Sequence, residues 1–164
     1  MSNRYDQSSD GRGYINREIE EPAIFTEIAD GKSELKSENR IEKRGKYFID
    51  ISEFGECLCD SKGRYLSLFC SKIEVLKDYV IGHRNNFAVM LDPETGRFRS
   101  RQYKRIFLLG DYLIATTPSD YQLVLNADGK RISDWFKQII IRDGMLIGKT
   151  DTREKPVSLD RIYD

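Results

Sequence analysis

The chain has little of what most chemistry is built from. Among its 164 residues there is one histidine, one tryptophan and three cysteines, and no net charge, because 27 Lys and Arg balance 27 Asp and Glu. An odd cysteine count in a chain of ordinary size argues against a disulfide framework and places the protein in a reducing compartment, the cytoplasm. Charge balance removes bulk attraction to nucleic acid or membrane, so any such partner must be met by a local patch. No stretch approaches the ~20 apolar residues of a spanning helix. The N-terminus carries no apolar secretory core. Neither Gly-x-x-x-x-Gly-Lys nor Gly-x-Gly-x-x-Gly occurs, so phosphate-cradling loops are not indicated.

The catalytic inventory is equally thin. His83 stands alone, no Gly-x-Ser-x-Gly elbow accompanies it, and it reads as a surface histidine at a strand end. Cys57 and Cys59 alternate on a strand, and with Cys70 they make three soft donors. Zinc takes four ligands, usually with Cys-x-x-Cys spacing, and cysteine is also a small buried hydrophobe. Cys70 falls seven residues after Gly63, where Tyr103 and Phe136 stand seven after Gly96 and Gly129, and so reads as core. No metal, cofactor or catalytic residue is assigned.

What the sequence does have is a period. Gly31, Gly63, Gly96 and Gly129 are separated by 32, 33 and 33 residues. Ten residues after each comes Ile41, Ile73, Ile106 or Ile139; sixteen after, Tyr47, Tyr79, Tyr112 or Met145; eighteen after, Ile49, Ile81, Ile114 or Ile147. Four copies sharing three offsets are the signature of a repeat architecture. The apolar runs are short, β-branched and aromatic, and bounded by turn residues, which indicates strands. Asp60 to Gly63 and Asn126 to Gly129 read as three-residue hairpin turns with a bulge glycine, Asp92 to Gly96 as a version one residue longer, and Asp30-Gly31 as the shortest.

The expected fold is all-β: four tandem hairpin repeats of roughly 33 residues, stacked or closed into a small propeller-like ring, with partial units at both ends. Residues 1–13 are expected to form a disordered tail and 14–164 a single domain. Ile24-Phe25-Ile28 is expected to be a strand, Glu34 to Lys46 strand or loop, and Ser158 to Tyr163 a final partial strand. Tyr65 to Leu68, Phe98 to Ser100 and Arg131 to Ser133 are expected to be return strands, and the four offset-ten isoleucines equivalent core positions.

Each unit reads apolar strand, Asp/Asn turn ending in Gly, apolar-Ser, aromatic, Ile, then Tyr-apolar-Ile. Asp60 with Gly63, Asp92 with Gly96, Asn126 with Gly129-Lys130, Tyr103 with Ile106 and Phe136 with Ile139 carry the pattern. Over about residues 14–150 it resembles the WG (KWG) repeat of bacterial proteins, although Trp135 sits beside the aromatic position rather than in a Trp-Gly pair. The resemblance implies a β-rich interaction module and brings no catalytic residues with it.

The one departure from an even surface is the stretch Arg97 to Arg105, in which Arg97, Arg99, Arg101, Lys104 and Arg105 flank Phe98 and Tyr103. On a strand, Arg97, Arg99 and Arg101 share a face. The expected binding residues are therefore Arg97, Arg99, Arg101, Tyr103, Lys104 and Arg105. The function expected is non-enzymatic protein binding, as a small inhibitor or adaptor of a larger protein, of the immunity or phage counter-defence type, with an acidic partner surface. The alternative is a nucleic-acid or nucleotide binder using the same basic stretch.

Overall fold

The computed structural model describes residues 40–163. They form twelve strands and, among the described residues, no helix. The strands group into four three-stranded antiparallel sheets in tandem, each a simple meander and none closed into a barrel. The first sheet holds β1 (Arg40–Arg44), β2 (Tyr47–Ser52) and β3 (Gly55–Cys59); the second β4 (Lys72–Leu76), β5 (Tyr79–Arg84) and β6 (Phe87–Leu91). The third holds β7 (Arg105–Leu109), β8 (Tyr112–Thr116) and β9 (Gln122–Leu125); the fourth β10 (Gln138–Arg142), β11 (Met145–Lys149) and β12 (Glu154–Pro156). The residue 1–13 tail, the Ile24-Phe25-Ile28 strand and the Asp30-Gly31 turn lie outside the described residues.

Offsets sixteen and eighteen lie on one face of each central strand, and the residue between them lies on the other. Side chains alternate across a strand, so neighbours such as Val80 and Ile81 serve different cores. Val80 and Ile73 pack with Ile49 and Leu58 of the first sheet. Ile81 and Met90 pack with Ile106, Leu113 and Leu123 of the third. Ile114 and Val124 pack with Phe136, Ile139 and Leu146 of the fourth. Each inter-sheet core is thus built by two consecutive sheets, and no sheet has a core of its own.

The turns form as their residues dictate. Gly63, Gly96 and Gly129 have φ of +83°, +73° and +80°. The Asp60 and Asn126 side chains each accept two backbone N–H groups at 2.9 Å. Asp92 Oδ1 accepts Glu94 N–H at 2.8 Å. These glycines also sit against the preceding connection: a Cβ at Gly96 would lie 2.1 Å from the Leu66 carbonyl oxygen, and one at Gly129 2.7 Å from that of Arg99. A different complementarity recurs at the aromatic position. A Cβ on Gly148 would lie 2.3 Å from the Phe136 ring, and one on Gly82 3.0 Å from Cys70 Sγ.

Three expectations are corrected. The return segments are not strands: Tyr65, Phe98 and Arg131 make only isolated bridges to Cys59, Leu91 and Leu125. The reason lies in Ser67, Ser100 and Ser133, each four residues after a turn glycine. Their hydroxyls accept the N–H of Leu58, Met90 and Val124 at 2.9 Å and donate to the carbonyl of the next residue, which interrupts the ladder. Ser158 to Tyr163 is irregular rather than a strand; the closing strand is β12, and Tyr163 N–H returns to the Arg131 carbonyl at 2.9 Å. Ile41, unlike Ile73, Ile106 and Ile139, is 53% exposed. The other three each face the preceding sheet, and β1 has none before it among the described residues.

Candidate functional site

The stretch Arg97 to Arg105 does not present a basic face of alternating arginines. Arg97 to Lys104 is an irregular connection, and only Arg105 enters a strand, β7. Backbone pairing is limited to points such as Arg99 N–H to the Met90 carbonyl at 2.7 Å, because Ser100 takes the next ladder position. Arg97 is exposed beside its turn. Arg99 is half-buried, 3.1 Å from the Asp92 carboxylate, with Nη1 reaching the Ala127 carbonyl at 3.5 Å. The Glu94 N–H, and then Arg99, hold the Asp92 carboxyl below its usual range. Arg101 is exposed. Tyr103, expected at the binding surface, is buried in the core between the second and third sheets. Lys104 pairs with Asp120 at 2.6 Å. Arg105 lies over the Phe107 ring at 4.6 Å.

The structure instead draws attention to exposed aromatics on the connections between sheets. Tyr65 and Phe98, each two residues after a turn glycine, are 51% and 52% exposed. Phe69 and Trp135 each stand six residues after such a glycine, and each meets an aromatic from the start of a neighbouring strand. Phe54–Phe69 and Tyr121–Trp135 both have ring centroids 6.1 Å apart. A cation follows each of these glycines, as Arg64, Arg97 and Lys130, all exposed. The sequence signal for this edge was present in the 33-residue spacing of Arg64, Arg97 and Lys130. It was obscured because the aromatics change identity and position within each unit.

At the last connection lies an open cleft of about 440 Å³, lined by Arg131, Asp134, Trp135, Phe136, Thr150 and Lys155. The Arg131 guanidinium lies between two rings, 5.4 Å from the centroid of Trp135 and 4.1 Å from that of Tyr163. Tyr163 donates its phenolic hydrogen to Asp134 at 3.1 Å. The Lys155 ammonium stands 5.9 Å from the Phe136 ring.

No protein-family profile matches the chain, and no curated protein does.

The remaining reactive groups are held in structural settings. Burial pushes the Cys57 and Cys70 thiols up to about 12 and raises that of Cys59, which suppresses the thiolate each would need as nucleophile or ligand. Among the described residues no three His, Cys, Asp or Glu side chains are grouped to hold a metal ion. His83 lies within β5, half-buried, with Nε2 3.0 Å from Glu74. Among them, too, no helix is long and apolar enough to cross a membrane.

Proposed function

We propose that this chain is a non-enzymatic protein-binding module, an inhibitor or adaptor of a larger partner, and that it engages an acidic partner surface through its recurrent aromatic and cationic edge. The observation that carries this reading is the recurrence of exposed rings at Tyr65, Phe98 and Trp135 on connections that each begin with an exposed cation, Arg64, Arg97 or Lys130. Phe98 and Trp135 belong to no inter-sheet core and stay about half exposed, while Tyr65, equally exposed, also hydrogen-bonds the buried Asp50. Aromatics and arginine are the residues that dominate protein interfaces. The resemblance to WG repeats points the same way. Of the basic stretch, Arg97 and Arg101 are exposed.

The test compares the full chain with the double variant Phe98→Ala, Trp135→Ala, first by quantitative capture and then by titration with the purified partner. Exposed positions of this kind change folding stability by only about 0.5 kcal/mol each. Loss of two or more anchoring rings weakens a real interface by about 2 kcal/mol or more, roughly thirtyfold. Undiminished partner affinity in the folded variant overturns the reading. Recovery of single-stranded nucleic acid with a steep salt dependence replaces it with the alternative, since rings and cations also make a stacking platform.

A further inference from the structure

We propose that the cleft of the last connection is a binding site for a small planar aromatic anion, a ring bearing a phosphate or carboxylate group. The proposal does not rest on the protein-binding reading.

The cleft's volume, about 440 Å³, lies within the range of small-ligand sites. Its lining divides by chemistry. Trp135 supplies the aromatic surface: Arg131 and Tyr121 lie against part of its ring, and at 55% exposure the remainder is open to a stacking partner. Phe136 is 2% exposed and seated against Gly148, which fixes that wall. Arg131 and Lys155 supply two positive charges against one negative charge, Asp134, whose carboxylate already accepts the Tyr163 hydroxyl.

The site is held in shape by groups that a ligand need not order. The Arg131 guanidinium has Trp135 and Tyr163 over it, and Arg161 lies 4.9 Å from the same Tyr163 ring, adding a cation near the cleft. Thr150 is fixed by its hydroxyl, which bonds the carbonyl and the N–H of Arg153, both at 3.2 Å. A cleft with an open ring, a closed aromatic wall and net positive charge favours a ligand that is flat on one side and anionic on the other. A neutral ring forgoes the charge, and a bare anion forgoes the stacking.

Trp135 is the chain's only tryptophan and therefore reports on the site directly. The experiment titrates the full chain with adenosine 5′-monophosphate, following tryptophan fluorescence, and separately with indole-3-acetate, itself an indole fluorophore, by calorimetry. Adenosine serves as ring without charge and inorganic phosphate as charge without ring. The result expected is saturable binding of one or both anionic rings, with adenosine and phosphate each about tenfold weaker or more than adenosine 5′-monophosphate. Lys155→Glu, an exposed position that leaves the Arg131 stack in place, is expected to weaken binding at least about tenfold while the melting transition is retained. Absence of saturable binding of both anionic rings, by calorimetry as well as by quenching, up to about 10 mM overturns the proposal. So does equal binding of adenosine and its monophosphate, or wild-type affinity in a folded Lys155→Glu variant. Calorimetry on the wild type with the same compounds covers a ligand that binds without quenching.

Discussion

At the residue scale, the same position solves one problem with two chemistries. Glu56 Oε1 accepts the Ile73 N–H at 2.7 Å, and Gln122 Oε1 accepts the Ile139 N–H at 2.8 Å, 66 residues along. Glu56 additionally meets Arg44, at 2.6 and 2.9 Å, which in turn bonds Glu42 and the Ile73 carbonyl. The Arg44 hydrogen bond, opposed by burial, lowers the Glu56 carboxyl below its ordinary 4.5, and Arg44 is raised in return. A depressed carboxyl contributes stability that is complete above the unfolded value and is lost as pH falls through the folded one. Glu56→Gln copies the third unit's solution and keeps the acceptor for Ile73. It is expected to cost about 1–3 kcal/mol at pH 7, the worth of a charge-assisted bond. The gap to wild type is expected to close as the pH is taken from about 4.5 down past the folded value. Urea midpoints at several pH values measure this, and parallel curves for the two proteins would remove the ion pair from the stability account.

At the element scale, the strands were legible and the connections were not. Short apolar runs at fixed offsets marked β4, β5, β7, β8, β10 and β11, because alternation and turn chemistry act locally. The return segments looked alike in sequence, with apolar residues next to serine. They fail as strands because one hydroxyl per unit captures a ladder N–H, a contact that depends on where the preceding strand lies. The basic stretch suffered the same way. Arginines that alternate in sequence were assigned one face, yet a connection without a continuous ladder has no two-residue period. Equal offsets likewise did not ensure equal burial. Ile106→Asp and Ile139→Asp each place a carboxylate in a closed inter-sheet core, at 3% and 4% exposure, and are expected to cost several kcal/mol of a total near 5–15. Ile41→Asp, at 53% exposure, is expected to cost less than about 1 kcal/mol. Thermal melts of the three variants check the ranking, and equal losses would mean that position 41 is covered as the others are.

At the scale of the whole molecule, stability is passed from sheet to neighbouring sheet. Val80 and Leu113 face backward while Ile81 and Ile114 face forward, so β5 and β8 are covered on both faces. Ion pairs between successive turns, Lys46–Asp78 at 3.7 Å and Lys77–Asp111 at 2.5 Å, follow the same progression, but exposed pairs add little. The fourth sheet ends the series. Met145 is 52% exposed where Tyr47, Tyr79 and Tyr112 are half-buried, and Arg142 and Lys149 reach across to Glu154 on β12. Amide exchange is therefore expected to be slowest in β5 and β8 and fastest in β12, all three of whose residues are exposed. Uniform protection across the four sheets would show that the array opens only as one unit.

The sequence alone determined the period, the all-β class, the turn glycines with their Asx partners, and the core role of Cys70. Each of these follows from chemistry within a few residues or from recurrence along the chain. Only the tertiary structure decided that a unit is a three-stranded sheet with an irregular connection, that Tyr103 is core, and that Arg99 and Lys104 answer Asp92 and Asp120. It also decided that Arg131, Trp135, Phe136 and Lys155 share one cleft. Those outcomes depend on which sheet face meets its neighbour and where a connection leaves the ladder, and both are set by packing between units.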